Sequence, residues 1–370
     1  MFAAACAHVR QLCCLGLGEQ AIGNDLLQAV EEVIPSGPNA LFVVKRDGEP
    51  DFMLVQDCPE TLWRLYGAEH RRAFAPAVGA LMRFSVVQAP GAYFDYEDAV
   101  VPGFYGTEFY QQIWRPMGQH HSLRGLARDR GAVYVVLLLC RGMHERRFTR
   151  MEAGQLEQLL PYVAFALHRH ADPAIDGHLC RSAQIGHVLV DSAGRLSHQC
   201  DAARTMLSLL TGTSSMQPHA AEALPALFAD LAGRLHAIQQ GQEAPPPVAS
   251  LSYGGGRLTF RAYGLNSDVP EPQPMTLIAI EQEELEALVL MRGLRTLPLS
   301  AKEREVSLWL TLGLASSDVA ARVGVKPNTA KAYADSAYTK LNVHSRAALR
   351  EKIVAEAEIN RAAMRRMTRR

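Results

Sequence analysis

Polar side chains cluster near the end of the 370-residue chain at the spacing of one helix face. Thr329, Lys331 and Asp335 fall on this face, and Lys326 and Asn328 come just before them. Hydroxyl, amide, ammonium and carboxylate groups arranged in this way can exchange hydrogen bonds with base edges, and the cations can also meet phosphates. The pattern therefore predicts a helix that presents a hydrogen-bonding surface to nucleic acid.

Two further short helices must hold that surface in place. Ser300 and Glu303 predict a capping box at the start of the first, Ser316 is expected to cap the second, and Gly324 to end it. The second helix would brace the third, which would lie in the major groove as the reading element of a helix-turn-helix. The buried face of the third helix is expected to comprise Ala330, Ala334, Ala337, Tyr338 and Leu341.

This stretch closely resembles the LuxR-type helix-turn-helix family, over residues 298–370. The matching residues are Leu299-Ser300, Glu303–Val306, Asp318–Ala320, Gly324-Val325, Thr329–Lys331 and Lys340–Arg346. The chain has Ala330, Tyr333 and Asn342 where the family usually has Val, His and Gly. Asn can still end a helix in the left-handed conformation, so the implied fold is unchanged.

The resemblance implies duplex DNA as a partner and a set of contact residues on the second and third helices. We expect Ser316, Ser317, Lys326, Asn328, Thr329, Lys331, Ala332, Tyr333, Asp335 and Ser336 to lie at the DNA. Asp335 has two interpretations, because it could restrain Lys331 and repel phosphates or accept a hydrogen bond from cytosine. Small three-helix modules also pack against protein alone, which leaves a role without DNA open.

Charge is distributed unevenly along a chain whose formal net charge is zero. Residues 298–370 hold 14 Lys and Arg against 7 Asp and Glu, whereas the remaining residues hold 24 against 31. A basic end joined to an acidic body is typical of a protein that binds nucleic acid through one end.

The first 172 residues predict an α+β domain. Its irregular middle and following hairpin resemble the N-terminal domain of multidomain LuxR-family regulators, and the whole resembles a GAF or PAS sensor. The expected elements are helices within Phe2–Ile34, strands Ala40–Lys45 and Phe52–Gln56, a helix Glu60–Arg71, the aromatic segment Tyr93–Trp114, strands Ser122–Arg128 and Ala132–Arg141, and a helix Arg150–His170.

Three further segments complete the predicted organisation. A domain that resembles PAS domains is expected over residues 176–281. A linker and dimerisation helix is expected over residues 282–297, and the DNA-binding domain over residues 298–370. The expected fold class is multidomain, with α+β GAF/PAS-like sensor units followed by an all-α helix-turn-helix domain.

Two sets of apolar residues suggest further surfaces. Aromatic residues in the first domain could line the pocket of a small effector or be plain core, namely Tyr93, Phe94, Tyr96, Phe104, Tyr105, Phe109, Tyr110 and Trp114. A stripe on the linker and last helices could form a homodimer surface or pack within the chain, namely Leu285, Leu288, Val289, Leu349 and Ile353.

Signals of catalysis and metal binding are weak in this sequence. No P-loop, nucleophile elbow or HExxH motif occurs, so we expect no enzyme, cofactor or metal site. The pair His120-His121 and the group His168, His170 and His178 are interpreted as surface or helix-end residues. Cys58 and Cys140 could be redox-sensing thiols or inert buried ones.

The expected protein is a cytoplasmic, bacterial-type transcriptional regulator that binds DNA as a dimer and responds to an unidentified small molecule. Seven cysteines without paired spacing fit a reducing compartment, and no membrane span or signal peptide is expected. Contact with RNA polymerase is left open. The alternative is a protein-interaction regulator whose helix-turn-helix does not read DNA specifically.

Overall fold

The computed structural model describes most of the chain as two compact units. One unit comprises residues 1–178 and 286–370, and the other comprises residues 179–285. The described residues are 2–46, 50–59, 61–62, 65–66, 87, 91–94, 103–129, 133–166, 175, 178–191, 193–211, 219–265 and 275–367.

The N-terminal α+β domain, residues 2–178, is built on an antiparallel sheet in the order β2-β1-β5-β4-β3. The continuous apolar run Val133–Cys140 forms most of the central strand, as expected for a strand buried on both faces. The strands are β1 Ala40–Lys45, β2 Pro50–Val55, β3 Gly91–Phe94, β4 His121–Asp129 and β5 Val133–Arg141.

Helices cover one face of this sheet. A Cβ atom on Gly125 of β4 would meet the Leu156 and Leu160 side chains at 2.7 to 2.9 Å, so this glycine permits close helix packing. The aromatic segment covers the opposite face. The helices are α1 Phe2–Cys13, α2 Glu19–Val33, α3 Arg150–Glu157 and α4 Leu160–Ala166, with a 3₁₀ turn at Phe104–Gly106 and a π-helical turn at Tyr110–Trp114.

The prediction of one continuous helix over Arg150–His170 is wrong. It is broken between Glu157 and Leu160, where Pro161 lies in the first turn of α4. Proline has no N–H for a helix interior, which accounts for a new helix starting there. Residues 167–170 lie outside the described residues, as does most of the predicted helix Glu60–Arg71.

The second unit, residues 179–285, repeats the sheet order of the first as β7-β6-β10-β9-β8. Its apolar core lies between this sheet and two helices, around Phe228 and Phe260. The elements are β6 Leu179–Asp191, β7 Leu196–Gln199, α5 Asp201–Thr211, α6 His219–Gln239, β8 Val248–Tyr253, β9 Gly256–Gly264 and β10 Met275–Leu285.

The predicted start of the linker helix at Gln282 is corrected to Glu286. Glu283, Glu284 and Leu285 continue β10, since they pair with β6 at Arg181, Cys180 and Leu179. Tertiary pairing therefore overrides the helical pattern of these residues.

Within residues 286–367 five helices follow β10, and the last four match the predicted module and its C-terminal helix. They are α7 Glu286–Thr296, α8 Ala301–Thr311, α9 Ser316–Val323, α10 Pro327–Leu341 and α11 Arg346–Met367. None of the helices in the described part of the chain is long and apolar enough to cross a membrane.

Candidate nucleic-acid interface

Helix α10 is braced by α8 and α9, as the sequence predicts. Its inner face buries Ala330, Ala334, Ala337 and Leu341. It begins after Lys326 with Pro327 in the first turn, and Asn342 ends it in the left-handed conformation at φ 52°. Gly324 ends α9 at φ 69°, where its missing Cβ removes the strain of that conformation.

The outward face of α10 carries the predicted polar residues together. Thr329, Lys331, Ala332 and Asp335 are exposed on one side of the helix. Lys326 and Asn328 are exposed at its start, and Tyr333 is half-buried. This face holds donors and acceptors on a rigid helix, which is the arrangement required for contact with base edges.

Lys331 and Asp335 do not restrain each other in the structure. Within the described residues no ion pair joins them, although they lie four apart on one helix. The Lys331 ammonium therefore stays available to a ligand, and Asp335 places a carboxylate on the same exposed face.

Ser336 does not belong to the exposed set. Its hydroxyl donates to Glu303 Oε1 at 2.6 Å, and its side chain is half-buried. The hydrogen bond directs the hydroxyl towards α8, and the assignment of Ser336 as a DNA contact stays a prediction. Ser336 also fixes the orientation of α10.

Glu303 fastens α8 to α10. It completes the predicted capping box with Ser300 and accepts hydrogen bonds from Lys340 Nζ at 2.7 and 2.8 Å. Burial disfavours its ionised form, but the hydrogen bonds from Lys340, Ser336 and Ser300 outweigh burial and lower its pKa to about 2. The sequence indicates the capping box, whereas the contacts with α10 depend on residues 33 and 37 positions away.

Helix α9 is held by contacts that sequence reasoning missed. Lys302 Nζ donates to the Val323 carbonyl at 2.9 Å, and the Arg322 guanidinium lies 4.2 Å from the centre of the Trp309 ring. Such a contact between a cation and a ring is attractive, and here it joins α9 to α8.

Ser316 and Ser317 are exposed at the start of α9. The expected cap by Ser316 is wrong, because Ala315 occupies the N-cap and Ser316 is the first helical residue. The Ser316 hydroxyl therefore makes no cap and lies at the surface beside Ser317, at the N-terminus of α9.

Five of the seven described residues of the predicted pocket set pack into one apolar core. Phe104 is fully buried, and its ring makes an edge-to-face contact with Trp114 at 4.9 Å between centroids. Phe109, Tyr110 and Trp114 are buried with it, Tyr105 is partly buried against it, and Tyr93 and Phe94 on β3 are half-buried. Tyr96 lies outside the described residues.

The expectation that His120 and His121 lie at the surface is wrong. His121 is buried, and His120 stacks on Tyr105 at 4.5 Å and shares a 2.6 Å hydrogen bond with Tyr110. They lie at one end of the aromatic core. Among the described residues no group of three or more His, Cys, Asp or Glu could hold a metal ion.

The two cysteines considered as redox sensors lie in unfavourable surroundings for a thiolate. Burial raises the pKa of Cys140, which is fully buried, and raises that of Cys58 to about 11. Because the thiolate is the reactive form, neither site favours ready oxidation.

Of the two interpretations of the apolar stripe, the structure favours packing within the chain. Leu288 and Val289 on α7 are buried within the chain, and Leu349 and Ile353 on α11 are completely buried. Helices α7 and α11 pack against each other, so these side chains serve packing within the chain. Leu285 is also buried, as the last residue of β10.

Comparison with known families identifies the C-terminal helices. The family described as bacterial regulatory proteins, luxR family, matches residues 297–351. This range contains α8, α9 and α10 and the first residues of α11. No curated protein matches the chain.

Several solved structures show limited similarity. The LBD domain of VqsR from Pseudomonas aeruginosa is 18% identical, with 39% of this chain and 82% of that chain covered and a TM-score of 0.27. The Vibrio cholerae VqmA dimer is 16% identical, with 47% and 83% covered and a TM-score of 0.17. The E. coli DhaR(N)-DhaL complex is 16% identical, with 76% and 89% covered and a TM-score of 0.23.

Proposed function

Because residues 297–351 are a helix-turn-helix domain of the luxR family, we propose that this chain is a transcriptional regulator that reads duplex DNA through α10. The observation that carries the proposal is the exposed polar face of α10 on a helix fastened by Glu303. A rigid reading helix loses little conformational freedom on binding, so its polar contacts can contribute to affinity and specificity.

The exposed residues suggest a division of roles at the DNA. Lys331, one turn into α10, reaches a guanine edge or a phosphate, and Asn328 and Thr329 add neutral hydrogen bonds at the helix start. Lys326, Ser316 and Ser317 contact the phosphate backbone. Asp335 repels phosphates, which lowers the affinity for duplexes that do not form the other contacts with α10.

The remaining domains would make the regulator responsive to an effector. We propose that residues 2–178 and 179–285 are sensor units of the GAF or PAS kind, supported by the strand order that both sheets share. The site of a small aromatic or apolar effector would lie beside the aromatic core around Phe104, where Tyr105 is only partly buried. RNA polymerase would be the partner through which DNA binding changes transcription.

The regulator would bind DNA as a homodimer, with one reading helix at each half-site. The stripe on α7 and α11 is already buried, so the partner must contact another surface. Sedimentation of the full chain with and without a two-site duplex tests this assembly. Two chains per duplex support it, and one chain on a saturated two-site duplex contradicts it.

Electrophoretic retardation of the chain's own upstream DNA tests the proposed function. The full chain is titrated with and without a polyanion competitor, at several salt concentrations. We expect a retarded complex that survives the competitor and weakens as salt rises, because phosphate contacts release counterions. A complex abolished by competitor, or no complex at low salt, would support a protein-interaction role.

A further inference from the structure

Helix α7 is largely buried within the chain, although Arg292 and Arg295 are half-buried and Thr296 is exposed. Its buried residues include Ala287, Leu288, Leu290, Met291 and Leu294. A helix with this many buried apolar residues needs packing partners on more than one side, unlike an exposed linker. One partner is α11, where the Ile353 carbonyl occupies the space that a Cβ atom on Gly293 would need.

The second partner of α7 belongs to the N-terminal α+β domain. Arg292 donates from Nε and Nη2 to the two carboxylate oxygens of Asp25 on α2, at 2.6 and 2.8 Å. One helical turn further, Arg295 Nε lies 3.2 Å from Glu32 Oε1. The Asp25 and Arg292 side chains are only 11% and 23% exposed, so this bidentate pair is much less screened than a surface pair.

Helix α1 adds contacts to the same surface. Gln11 Nε2 donates to the Ala301 carbonyl at the start of α8, at 2.9 Å. His8 is 5% exposed, and burial together with the charges of Arg295 and Arg304 lowers its pKa to about 4, although Asp25 opposes the shift. His8 is therefore neutral at pH 7 and adds no positive charge beside these two arginines.

The opposite side of α2 rests on the sheet. A Cβ atom on Gly23 would lie 3.0 Å from the Leu54 side chain of β2 and 3.6 Å from Leu41 of β1. Residues of the same two strands, Ala40 and Met53, belong to the aromatic core. A change in that core can therefore reach α7 through two strands and one helix, all of them in direct contact.

We propose that α1 and α2 form the surface through which the N-terminal domain holds and releases the DNA-binding helices. Its central contact is the clasp, defined as Asp25 and Glu32 on α2 with Arg292 and Arg295 on α7. Thr329, Lys331 and Asp335 on α10 stay exposed, so the clasp fixes the orientation of the reading helix without blocking these side chains. The effect of the clasp on DNA binding rests on the proposed function, whereas the contact between α2 and α7 does not.

Charge reversal and restoration test the clasp in the full chain. The variants are Asp25→Arg, Arg292→Asp and the double swap, with Asp25→Asn as a milder substitution. Glu283→Arg, which breaks the partly exposed Arg257–Glu283 pair of the second unit, is the matched control. Hydrogen exchange of α2, α7 and α10 is measured, together with affinity for duplexes carrying one or two half-sites.

Each single reversal should speed amide exchange in α2 and α7 by about tenfold or more, because it brings two like charges together at a half-buried position. Amides of α10 should keep their protection, and the double swap should restore most of the protection in α2 and α7. Affinity for one half-site should stay within about twofold, while preference for one spacing of two half-sites is lost.

Either of two results would contradict the proposed clasp. One is that amide exchange in α2 and α7 is the same in both single variants as in the wild type. The other is that the amides of the double swap are no better protected than those of the single variants. If Asp25→Arg unfolds the chain, amide exchange in Asp25→Asn and in the double swap tests the clasp instead. A wild-type chain that binds no duplex would contradict the proposed function, while the exchange measurements would still decide the clasp.

Discussion

At the scale of single residues, Lys331 and Asp335 are the side chains whose chemistry bears most directly on DNA reading. They lie exposed on one face of α10 without an ion pair between them. The ammonium is attracted to phosphates and guanine edges, whereas the carboxylate is repelled by phosphates. Single substitutions at these positions therefore test different parts of the proposal.

Replacement of Lys331 with Ala should weaken duplex binding by about 1–3 kcal/mol, the range expected for loss of one base-edge contact. Fluorescence anisotropy titration at moderate salt measures the effect. Lys352→Ala is the matched control, because it removes an exposed lysine of the same domain from α11. Equal affinities of wild type and Lys331→Ala would show that α10 does not face the groove.

Asp335→Asn distinguishes the two roles of this carboxylate. If Asp335 repels phosphates, as we propose, the variant should bind operator and scrambled duplexes more tightly by a similar factor. If Asp335 accepts from cytosine, operator affinity should fall while nonspecific affinity rises. Titrations on both duplexes at matched salt separate these outcomes, and no change in either would mean that Asp335 lies away from the DNA.

Glu303→Gln should lower the stability of the full chain at pH 7 by about 2–3 kcal/mol, because the depressed pKa reflects stabilisation of the ionised form. That contribution is fully present above the ordinary pKa of 4.5 and is lost as pH falls towards 2. Urea unfolding of wild type and variant should therefore converge in acid. Glu305→Gln, at the more exposed pair with Lys302, should cost well under about 1 kcal/mol. A difference independent of pH would contradict ionisation as the cause.

At the scale of elements, the contact between α7 and α11 fixes the base of the DNA-binding helices. Gly293→Ala should push the two helices apart, because the new Cβ atom would meet backbone of Ile353. We expect a loss of about 1–3 kcal/mol in unfolding free energy, measured by thermal or urea unfolding. Gly233→Ala in α6 has open space around its Cβ and should not destabilise the chain. Equal stability of Gly293→Ala and wild type would mean that α7 is not held as described.

The elements also show why some features followed from the sequence and others did not. The capping box of Ser300 and the glycine stop at Gly324 depend on neighbouring residues, and their patterns predicted them correctly. The pattern also predicted the buried face of α10, except that Tyr338 is only half-buried. The strand character of residues 283–285 depends on pairing with β6, more than 90 positions earlier. The Arg292–Asp25 pair spans 267 positions and leaves no local pattern.

At the scale of the whole molecule, the chain combines a reading helix with two α+β units that have the same strand order. The residues predicted as a separate first domain and a separate DNA-binding domain belong to one compact unit. A regulator built in this way has a direct route from its aromatic core to its DNA-binding helices, which a flexible linker would not provide.

Selection of duplexes from a random-sequence library by the full chain tests DNA reading by α10 most directly. Wild type, Lys331→Ala and Lys352→Ala are compared at the same salt concentration. The proposal predicts that wild type and Lys352→Ala enrich one sequence motif, and that Lys331→Ala enriches it weakly or loses selection at one of its positions. Retention of duplexes by the wild type without any enriched motif, or equal enrichment by Lys331→Ala, would contradict it.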